Sequence, residues 1–198
     1  MIYSVGSIFL DHIIKINSFP KKPVKVFAKG IEKRLGGSAA VASFTIKKLG
    51  INTAFIGRFG DDDVSKSLKG ELKKFKINYN DSVIIKGAQS SQSYVYEDKD
   101  GERLLAAFNE KKLLNNKKLP KISFIKNTTF ITDLRWIEAT LYIAKNCHKK
   151  NLIHVVDLDN YKLTSQIKKI VDLASHPIFS ETGALEFTKS KSIINSLK

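Results

Sequence analysis

Short apolar runs alternate with longer amphipathic stretches along most of the chain. The run from Ile2 to Ile8 predicts a buried first strand, and the later apolar runs are separated by segments with helical spacing of apolar residues. Further buried strands are predicted at residues 53–57, 129–132, 153–156 and 178–180, and helices at 39–49, 61–75 and 137–149. Strands that alternate with helices favour a parallel sheet covered by helices on both faces.

Two segments have a different pattern. Residues 25–33 alternate between apolar and polar, which predicts a strand with one solvent-facing side. Residues 93–97 and 103–108 flank the turn sequence Asp98-Lys99-Asp100-Gly101, which predicts a hairpin. We therefore expect a small β element separate from the parallel sheet.

Composition sets the broad class. A length of 198 residues with 42% hydrophobic residues indicates one domain, or one domain with a small appendage, that buries a real core. The single cysteine, Cys147, excludes an intrachain disulfide and is interpreted as a reduced, packed thiol. Neither a membrane-spanning run nor a signal peptide is evident, so the expected location is cytoplasmic by elimination.

The net charge of +15 allows anionic partners but does not identify one. Only four basic residues are arginines, and the lysines occur as short pairs scattered over many elements. Nucleic-acid-binding surfaces favour arginine and interleaved aromatic residues along one stripe. A lysine-rich solvated surface is therefore the favoured interpretation, and a nucleic-acid-binding protein is kept as the last alternative.

Three glycine-containing motifs occur in a defined order. Gly36-Gly37-Ser38-Ala39-Ala40 precedes a helix, Phe55 to Asp62 follow a strand, and Asp100-Gly101-Glu102-Arg103 forms the hairpin turn. Glycines before a helix let a ligand approach free backbone N–H groups. Together these motifs resemble the N-terminal part of the ribokinase-like (PfkB) carbohydrate kinases, and the resemblance covers essentially the whole chain.

The resemblance implies a three-layer α/β/α sandwich over residues 1–198, with a small β-sheet lid whose elements lie near 12–34 and 90–108. It implies a sugar substrate and ATP and Mg²⁺ as cofactors, with no nucleic acid or membrane partner.

The segments 89–93, 133–136, 156–159 and 179–183 further resemble the sulfofructose kinase branch of the family, which phosphorylates 6-deoxy-6-sulfofructose. The implied substrate-binding residues are Asp11, Lys25, Gly36, Gly37, Ser38 and Arg135, with Arg135 and Lys25 facing the sulfonate. The implied residues on the nucleotide side are Asp157, Asp159 and Glu181.

Each of these residues also has a structural interpretation. Asp11, Asp157 and Asp159 suit turns or caps, Lys25 suits a solvent-facing position, and Arg135 suits a surface pair with the neighbouring Trp136. The acidic triplet 61–63 is better explained by helix capping than by metal binding, and the four histidines lack metal spacing.

The chain also departs from the family pattern. Val41 stands where many of these kinases have an Asn, Ala107 replaces a polar residue with Asn109 two positions along, and residues 180–183 lack the family's Asn and Glu. The family's Gly-Ala-Gly-Asp element, which carries the catalytic base, does not occur. We therefore expect a fold that lacks its C-terminal portion and binds sugar without a base for phosphoryl transfer.

Three functional classes remain open at this point. The first is an ATP-dependent kinase for an anionic ketose, and the second is a non-catalytic sugar-binding fragment or half of a split enzyme. The third is the basic nucleic-acid-binding protein. An uncovered sheet edge and apolar face predict aggregation or a partner, either a second copy bound through the lid or a complementing C-terminal polypeptide.

Overall fold

The computed structural model describes residues 1–159 and 161–196. Ten strands are present in this part of the chain: β1 Ile2–Gly6, β2 Phe9–Lys15, β3 Gly30–Gly36, β4 Thr53–Phe59, β5 Val83–Ile84, β6 Gln92–Glu97, β7 Arg103–Phe108, β8 Thr129–Asp133, β9 Ile153–Leu158 and β10 His176–Phe179. Six of them form a parallel sheet in the order β10-β9-β8-β1-β4-β5. The prediction of a parallel sheet built from alternating strands and helices is confirmed.

Helices cover both faces of this sheet. The helices are α1 Ser38–Lys48, α2 Asp63–Lys74, α3 Lys111–Leu114, α4 Ile137–Lys150, α5 Ser165–Leu173, α6 Glu181–Thr188 and α7 Ile193–Ser196, with a 3₁₀ turn at Leu134–Trp136. All seven residues of β4 are buried. Its successive side chains point to opposite faces of the sheet and pack into two hydrophobic clusters, since Phe55 packs with α1 and α2 whereas Ile56 packs with α4.

Several local predictions are confirmed. Asp62 caps α2 and accepts a hydrogen bond from the Ser65 N–H at 3.0 Å, so the acidic triplet serves the helix start. Cys147 is buried in α4, and burial raises the pKa of its thiol to about 12. Within the described ranges, no helix is long and apolar enough to cross a membrane.

The four remaining strands form a small sheet in the order β3-β2-β6-β7. The hairpin of β6 and β7 is confirmed, with its antiparallel register running from Gln92 opposite Phe108 to Glu97 opposite Arg103. This sheet occupies residues 9–36 and 92–108, close to the predicted lid ranges 12–34 and 90–108. Its action as a lid stays a prediction.

Two predicted strand boundaries are wrong. The strand expected at residues 25–33 lies at Gly30–Gly36, because its antiparallel partner β2 ends at Lys15 and pairing begins opposite that residue. The first strand ends at Gly6 rather than Ile8, since the chain turns there and enters β2 at Phe9. The strand β2 and the helices α5, α6 and α7 were not predicted.

One part of the parallel sheet has a less covered surface. Beside α1, the side chains of Ile131, Val155 and Ile178 come from three adjacent strands and border a cavity of about 210 Å³. Ile178 is 56% exposed. We call this surface, defined by these three residues, the open face.

Candidate functional site

A cleft separates the small sheet from the carboxyl ends of β1 and β8. Its volume is about 410 Å³, within the range of about 300–1,000 Å³ typical of small-molecule sites. The residues that line it are Ser7, Phe9, Asp11, Gly37, Ser38, Ser93, Leu105, Ala107, Asn109 and Arg135. The fold thus brings together four of the predicted substrate-binding residues: Asp11, Gly37, Ser38 and Arg135.

Asp11 is held on the cleft side of β2. Its Oδ1 accepts a hydrogen bond from the Ser93 hydroxyl at 2.5 Å, across the parallel β2–β6 register. Burial raises the pKa of this carboxyl, although the Ser93 hydrogen bond and the nearby His12 act in the opposite direction. A carboxylate so placed can accept hydrogen bonds from sugar hydroxyls.

Gly36 is required by the position of Asp11. A Cβ atom at Gly36 would lie 2.0 Å from Oδ2 and 2.5 Å from Cγ of Asp11. The glycine therefore gives the carboxylate the space that a side chain would fill.

Backbone donors at the start of α1 border the same cleft. Gly37 has φ of +93°, and a Cβ there would lie 2.7 Å from the Ser7 carbonyl oxygen. The Ala39 N–H donates to Asp133 and the Ala40 N–H to the Ser7 carbonyl, each at 3.2 Å. Among the described residues, the N–H groups of Gly37 and Ser38 have no acceptor, so they can donate to a ligand oxygen.

Asp133 is a central residue that the sequence did not single out for a role. It is 3% exposed at the end of β8, and its Oδ2 accepts hydrogen bonds from the Ser7 N–H at 2.8 Å and the Ser7 hydroxyl at 2.5 Å. Its Oδ1 accepts from the Arg135 N–H at 2.9 Å. Because this internal carboxylate already faces the positive end of α1, the helix start is suited to neutral hydroxyl groups more than to a further anion.

A sequence signal for Asp133 exists in hindsight. An aspartate that directly follows an apolar strand lies at the sheet edge where α/β ligand sites form. Gly6 is the matching signal, since a Cβ there would lie 2.4 Å from Oδ1 of Asp133.

Arg135 borders the cleft, and a second arginine fixes its backbone. Arg58 donates to the Arg135 carbonyl at 2.9 Å and to the Leu114 carbonyl at 2.6 Å. Its guanidinium lies 5.1 Å from the ring centroid of the buried Trp136. A cation–π pair with Trp136 is thus made by Arg58 in the core, and the expected pair between Arg135 and Trp136 stays a prediction. Burial lowers the pKa of Arg58, against the charges of Glu138 and Asp133.

The remaining predicted site residues lie elsewhere. Lys25 is on the exposed loop between β2 and β3, with its Nζ 4.8 Å from the Phe27 ring, and it is not part of the cleft lining. Burial and the neighbouring Asp133 and Asp159 raise the pKa of Asp157, near the end of β9, whereas the Ser38 side chain and Arg135 act in the opposite direction. Asp159 is exposed after β9, and Glu181 is exposed at the first position of α6. Their roles stay predictions.

The departures from the family pattern can also be located. Val41 borders a groove between α1 and α2 and is absent from the cleft lining. Ala107 and Asn109 both line the cleft, and the Asn109 side chain accepts a hydrogen bond from the Ser91 hydroxyl at 2.7 Å. A polar side chain is therefore present on this wall, two positions beyond Ala107.

The residues on the proposed nucleotide side do not form an ATP and Mg²⁺ site by themselves. In residues 1–159 and 161–196, no three His, Cys, Asp or Glu side chains are grouped so that they could hold a metal ion. Asp133 is already engaged by N–H and hydroxyl donors, and the carboxylates of Asp157 and Asp159 would face a triphosphate favourably only through a bound cation. No phosphoryl-transfer step follows from these side chains alone.

Comparisons with known proteins agree with this fold. A nucleoside kinase from Methanocaldococcus jannaschii is 24% identical over 203 residues, which cover 96% of this chain and 62% of that protein. A probable fructokinase-5 from Arabidopsis thaliana is 39% identical over 74 residues, which cover 37% of this chain and 23% of that protein. The chain thus spans less than two thirds of the length of these relatives.

Solved structures show the same architecture. An Agrobacterium tumefaciens protein assigned as a ribokinase superposes with a TM-score of 0.88 at 22% identity, covering 99% of this chain and 64% of that one. Arabidopsis thaliana ribokinase, solved with ribose and ATP, superposes with a TM-score of 0.74 at 16% identity, covering 99% and 66% respectively. At these identities the likeness shows a ribokinase-like α/β fold.

The model of the pfkB family of carbohydrate kinases matches residues 1–198. This match spans the glycine motifs, the cleft and both sheets described above. The chain belongs to the pfkB family of carbohydrate kinases.

Proposed function

We propose that this chain supplies the sugar-binding part of an ATP-dependent kinase that phosphorylates a hydroxyl of an anionic ketose, with 6-deoxy-6-sulfofructose as the specific candidate. The observation that carries the proposal is the cleft that joins the Asp11 carboxylate, the N–H groups of Gly37 and Ser38, and Arg135. Acceptors and donors for hydroxyl groups lie there beside a guanidinium suited to an anion.

The two halves of this substrate would use different chemistry. Asp11 accepts hydrogen bonds from hydroxyls, and the start of α1 donates to neutral oxygens because Asp133 already compensates its positive end. Arg135 is the residue for the sulfonate, since a planar guanidinium matches a trigonal anion with charge-assisted hydrogen bonds. Lys25 would reach the anion only if its loop folds over the cleft.

The proposed phosphoryl donor is ATP with Mg²⁺. Arabidopsis thaliana ribokinase was solved with ribose and ATP, and a Cryptococcus neoformans ribokinase was solved with ADP. By analogy, Asp157, Asp159 and Glu181 would lie on the nucleotide side of this chain. The rest of that site would come from polypeptide that corresponds to the last third of the relatives, in the same protein or in a separate chain.

Two surfaces suit the partners this proposal requires. The open face presents Ile131, Val155 and Ile178 beside the start of α1, where a complementing segment could bury them. The outer side of the small sheet presents Tyr94 and Leu104, with exposed fractions of 42% and 58%, to a second copy.

A second candidate function is a sugar-binding module without catalysis. It is favoured because, among the described residues, no three His, Cys, Asp or Glu side chains are grouped so that they could hold a metal ion. Such a module would bind the sugar as the kinase does but leave ATP unchanged.

The experiment compares ATP consumption and sugar binding by the purified chain. A coupled assay and isothermal titration calorimetry are run with sulfofructose, fructose, ribose and adenosine, using Asp11→Asn, Arg135→Met and the exposed control Lys25→Met. We expect D11N to weaken every sugar and R135M to weaken sulfofructose at least tenfold while leaving fructose nearly unchanged.

The outcomes separate the candidates. Turnover with sulfofructose supports the kinase, whereas binding without turnover supports the non-catalytic module. Preference for a neutral sugar, or equal loss for fructose and sulfofructose in R135M, contradicts the anionic-ketose specificity. An effect of K25M as large as that of R135M would place the anion at the loop.

A further inference from the structure

A cavity larger than the cleft lies outside it, between β3, α1 and α2. It has a volume of about 770 Å³. Its floor is apolar and includes Leu10, Leu35 and Leu68, with Leu10 and Leu68 buried. Phe44 and Phe75 form part of its wall and contact each other edge to face, with ring centroids 4.6 Å apart. We call this cavity the α1–α2 groove.

The rim of the α1–α2 groove is basic. Lys33, Arg34, Lys48 and Lys74 border it, against a single acidic residue, Glu71. Lys74 lies 4.0 Å from Glu71, and Arg34 is paired with Glu32 at 2.8 Å. In the described part of the chain, Lys33 and Lys48 have no carboxylate partner, so two positive charges on the rim are uncompensated.

The groove and the cleft lie on opposite sides of the small sheet. Leu10 lines the groove and Asp11 lines the cleft, as adjacent residues of a strand must when they point to opposite faces. The groove uses the later turns of α1, at Val41, Phe44 and Lys48, whereas the cleft uses the helix start. A ligand in the groove would therefore contact the small sheet and the helices α1 and α2 without entering the cleft.

We propose that the α1–α2 groove binds a small soluble anionic amphiphile, which is a compact apolar body that carries one carboxylate or phosphate. The apolar floor and the Phe44–Phe75 pair would take the body, and Lys33 and Lys48 would pair with the anion. The volume falls within the range of small-molecule sites, about 300–1,000 Å³. The uncompensated charges select an anion over a neutral ligand.

The test uses 2-naphthoate as the probe and 2-naphthamide as its neutral counterpart. Binding to the full chain is measured by isothermal titration calorimetry at low salt. The variants are the double charge reversal Lys33→Glu with Lys48→Glu, and Val41→Glu, which places a carboxylate at a wall position that is 47% exposed. Lys73→Glu is the matched control, because Lys73 is exposed on α2 and absent from the groove lining.

We expect saturable binding of one naphthoate per chain, and naphthamide binding at least tenfold weaker. Naphthoate affinity should fall at least tenfold in K33E/K48E and in V41E and change less than twofold in K73E. Thermal melts confirm that each variant is folded, and two independent variants keep the test decisive if one of them is not.

Several results would overturn the proposal. These are no saturable naphthoate binding, equal affinity for naphthamide, or an equal loss in K73E, which would indicate a non-specific effect of net charge. Sedimentation of the chain with anionic phospholipid vesicles that K33E/K48E abolishes would assign the groove to a membrane surface instead. A dimer in sedimentation velocity that V41E dissociates would assign it to a second copy of the chain.

Discussion

Replacing Gly36 by alanine tests how the Asp11 carboxylate is positioned. The added Cβ would lie 2.0 Å from Oδ2 and 2.7 Å from Oδ1 of Asp11, so the carboxylate must rotate away. That rotation breaks the hydrogen bond from the Ser93 hydroxyl, and hydrogen bonds to charged groups contribute about 1.5–3 kcal/mol. Because Asp11 is only half-buried, we expect the free energy of unfolding to fall by about 1–2 kcal/mol and sugar affinity to fall at least tenfold.

The same strand offers a matched control. Gly30 begins β3, and a Cβ built there meets nothing within 4 Å. Gly30→Ala should therefore leave stability unchanged or raise it by up to about 1 kcal/mol, since alanine has less conformational freedom in the unfolded chain. Urea denaturation of both variants gives the free energies, and titration calorimetry with the preferred sugar gives the affinities.

A double-mutant cycle with Asp11→Ala isolates the cause. The three atoms nearest to a Cβ at residue 36 all belong to the Asp11 carboxyl group, so Gly36→Ala should cost much less in the Asp11→Ala background. If G36A is equally destabilising in both backgrounds, the clash does not involve Asp11 and the reasoning is refuted. An equal effect of G30A would refute it as well.

Three further predictions concern the core and the open face. Burial lowers the pKa of His154 from 6.5 to about 4, so the folded protein resists protonation of this ring more than the unfolded chain does. The free energy of unfolding should therefore be highest above pH 6.5 and fall by about 3 kcal/mol as the pH is lowered to about 4, and in urea denaturation His154→Asn should lose less stability over this range. Asp133→Asn should lower the free energy of unfolding by about 2–3 kcal/mol at pH 7, because the carboxylate accepts four hydrogen bonds, whereas exposed Asp172→Asn should cost far less. Ile178→Lys should reduce self-association in sedimentation velocity more than Ile84→Lys, and equal behaviour of the two variants would contradict an adhesive open face.

Local signals explain which elements the sequence could predict. The β6–β7 hairpin has its turn residues and both strands within one continuous segment, and Asp62 caps the helix that follows it directly. The bounds of β3 could not be predicted from local residues, because they depend on where its partner β2 ends. The sequence of β2 has no clear alternation of apolar and polar residues that would mark that end. The start of α5 did carry a signal, since Thr164 caps it by accepting a hydrogen bond from the Ile167 N–H at 3.3 Å.

The residues of the cleft also divide into those that a local sequence signal identifies and those that depend on long-range contacts. Gly36, Gly37 and Asp11 could be placed from motifs, and the structure brings them together at one end of the cleft. Asp133 is harder to recognise, because its place after an apolar strand is its one local signal and its contacts reach Ser7, which is 126 residues away in the sequence. Side chains that position others through long-range hydrogen bonds leave little trace in a single sequence.

Arg58 connects the best-defined motif to the cleft. Its place in the Gly57–Asp62 segment gives no hint of a role, yet the guanidinium is buried against Trp136 and donates to two backbone carbonyls. Those carbonyls belong to Leu114, at the end of α3, and to Arg135, on the cleft wall, so one side chain ties together segments that approach the cleft from different parts of the chain. Burying a cation that donates hydrogen bonds only to neutral carbonyl groups costs desolvation free energy. The nearby negative charges of Glu138 and Asp133 offset part of that cost. The role of Arg58 is therefore to hold the backbone of the cleft wall that carries Arg135, rather than to pack within its own strand β4.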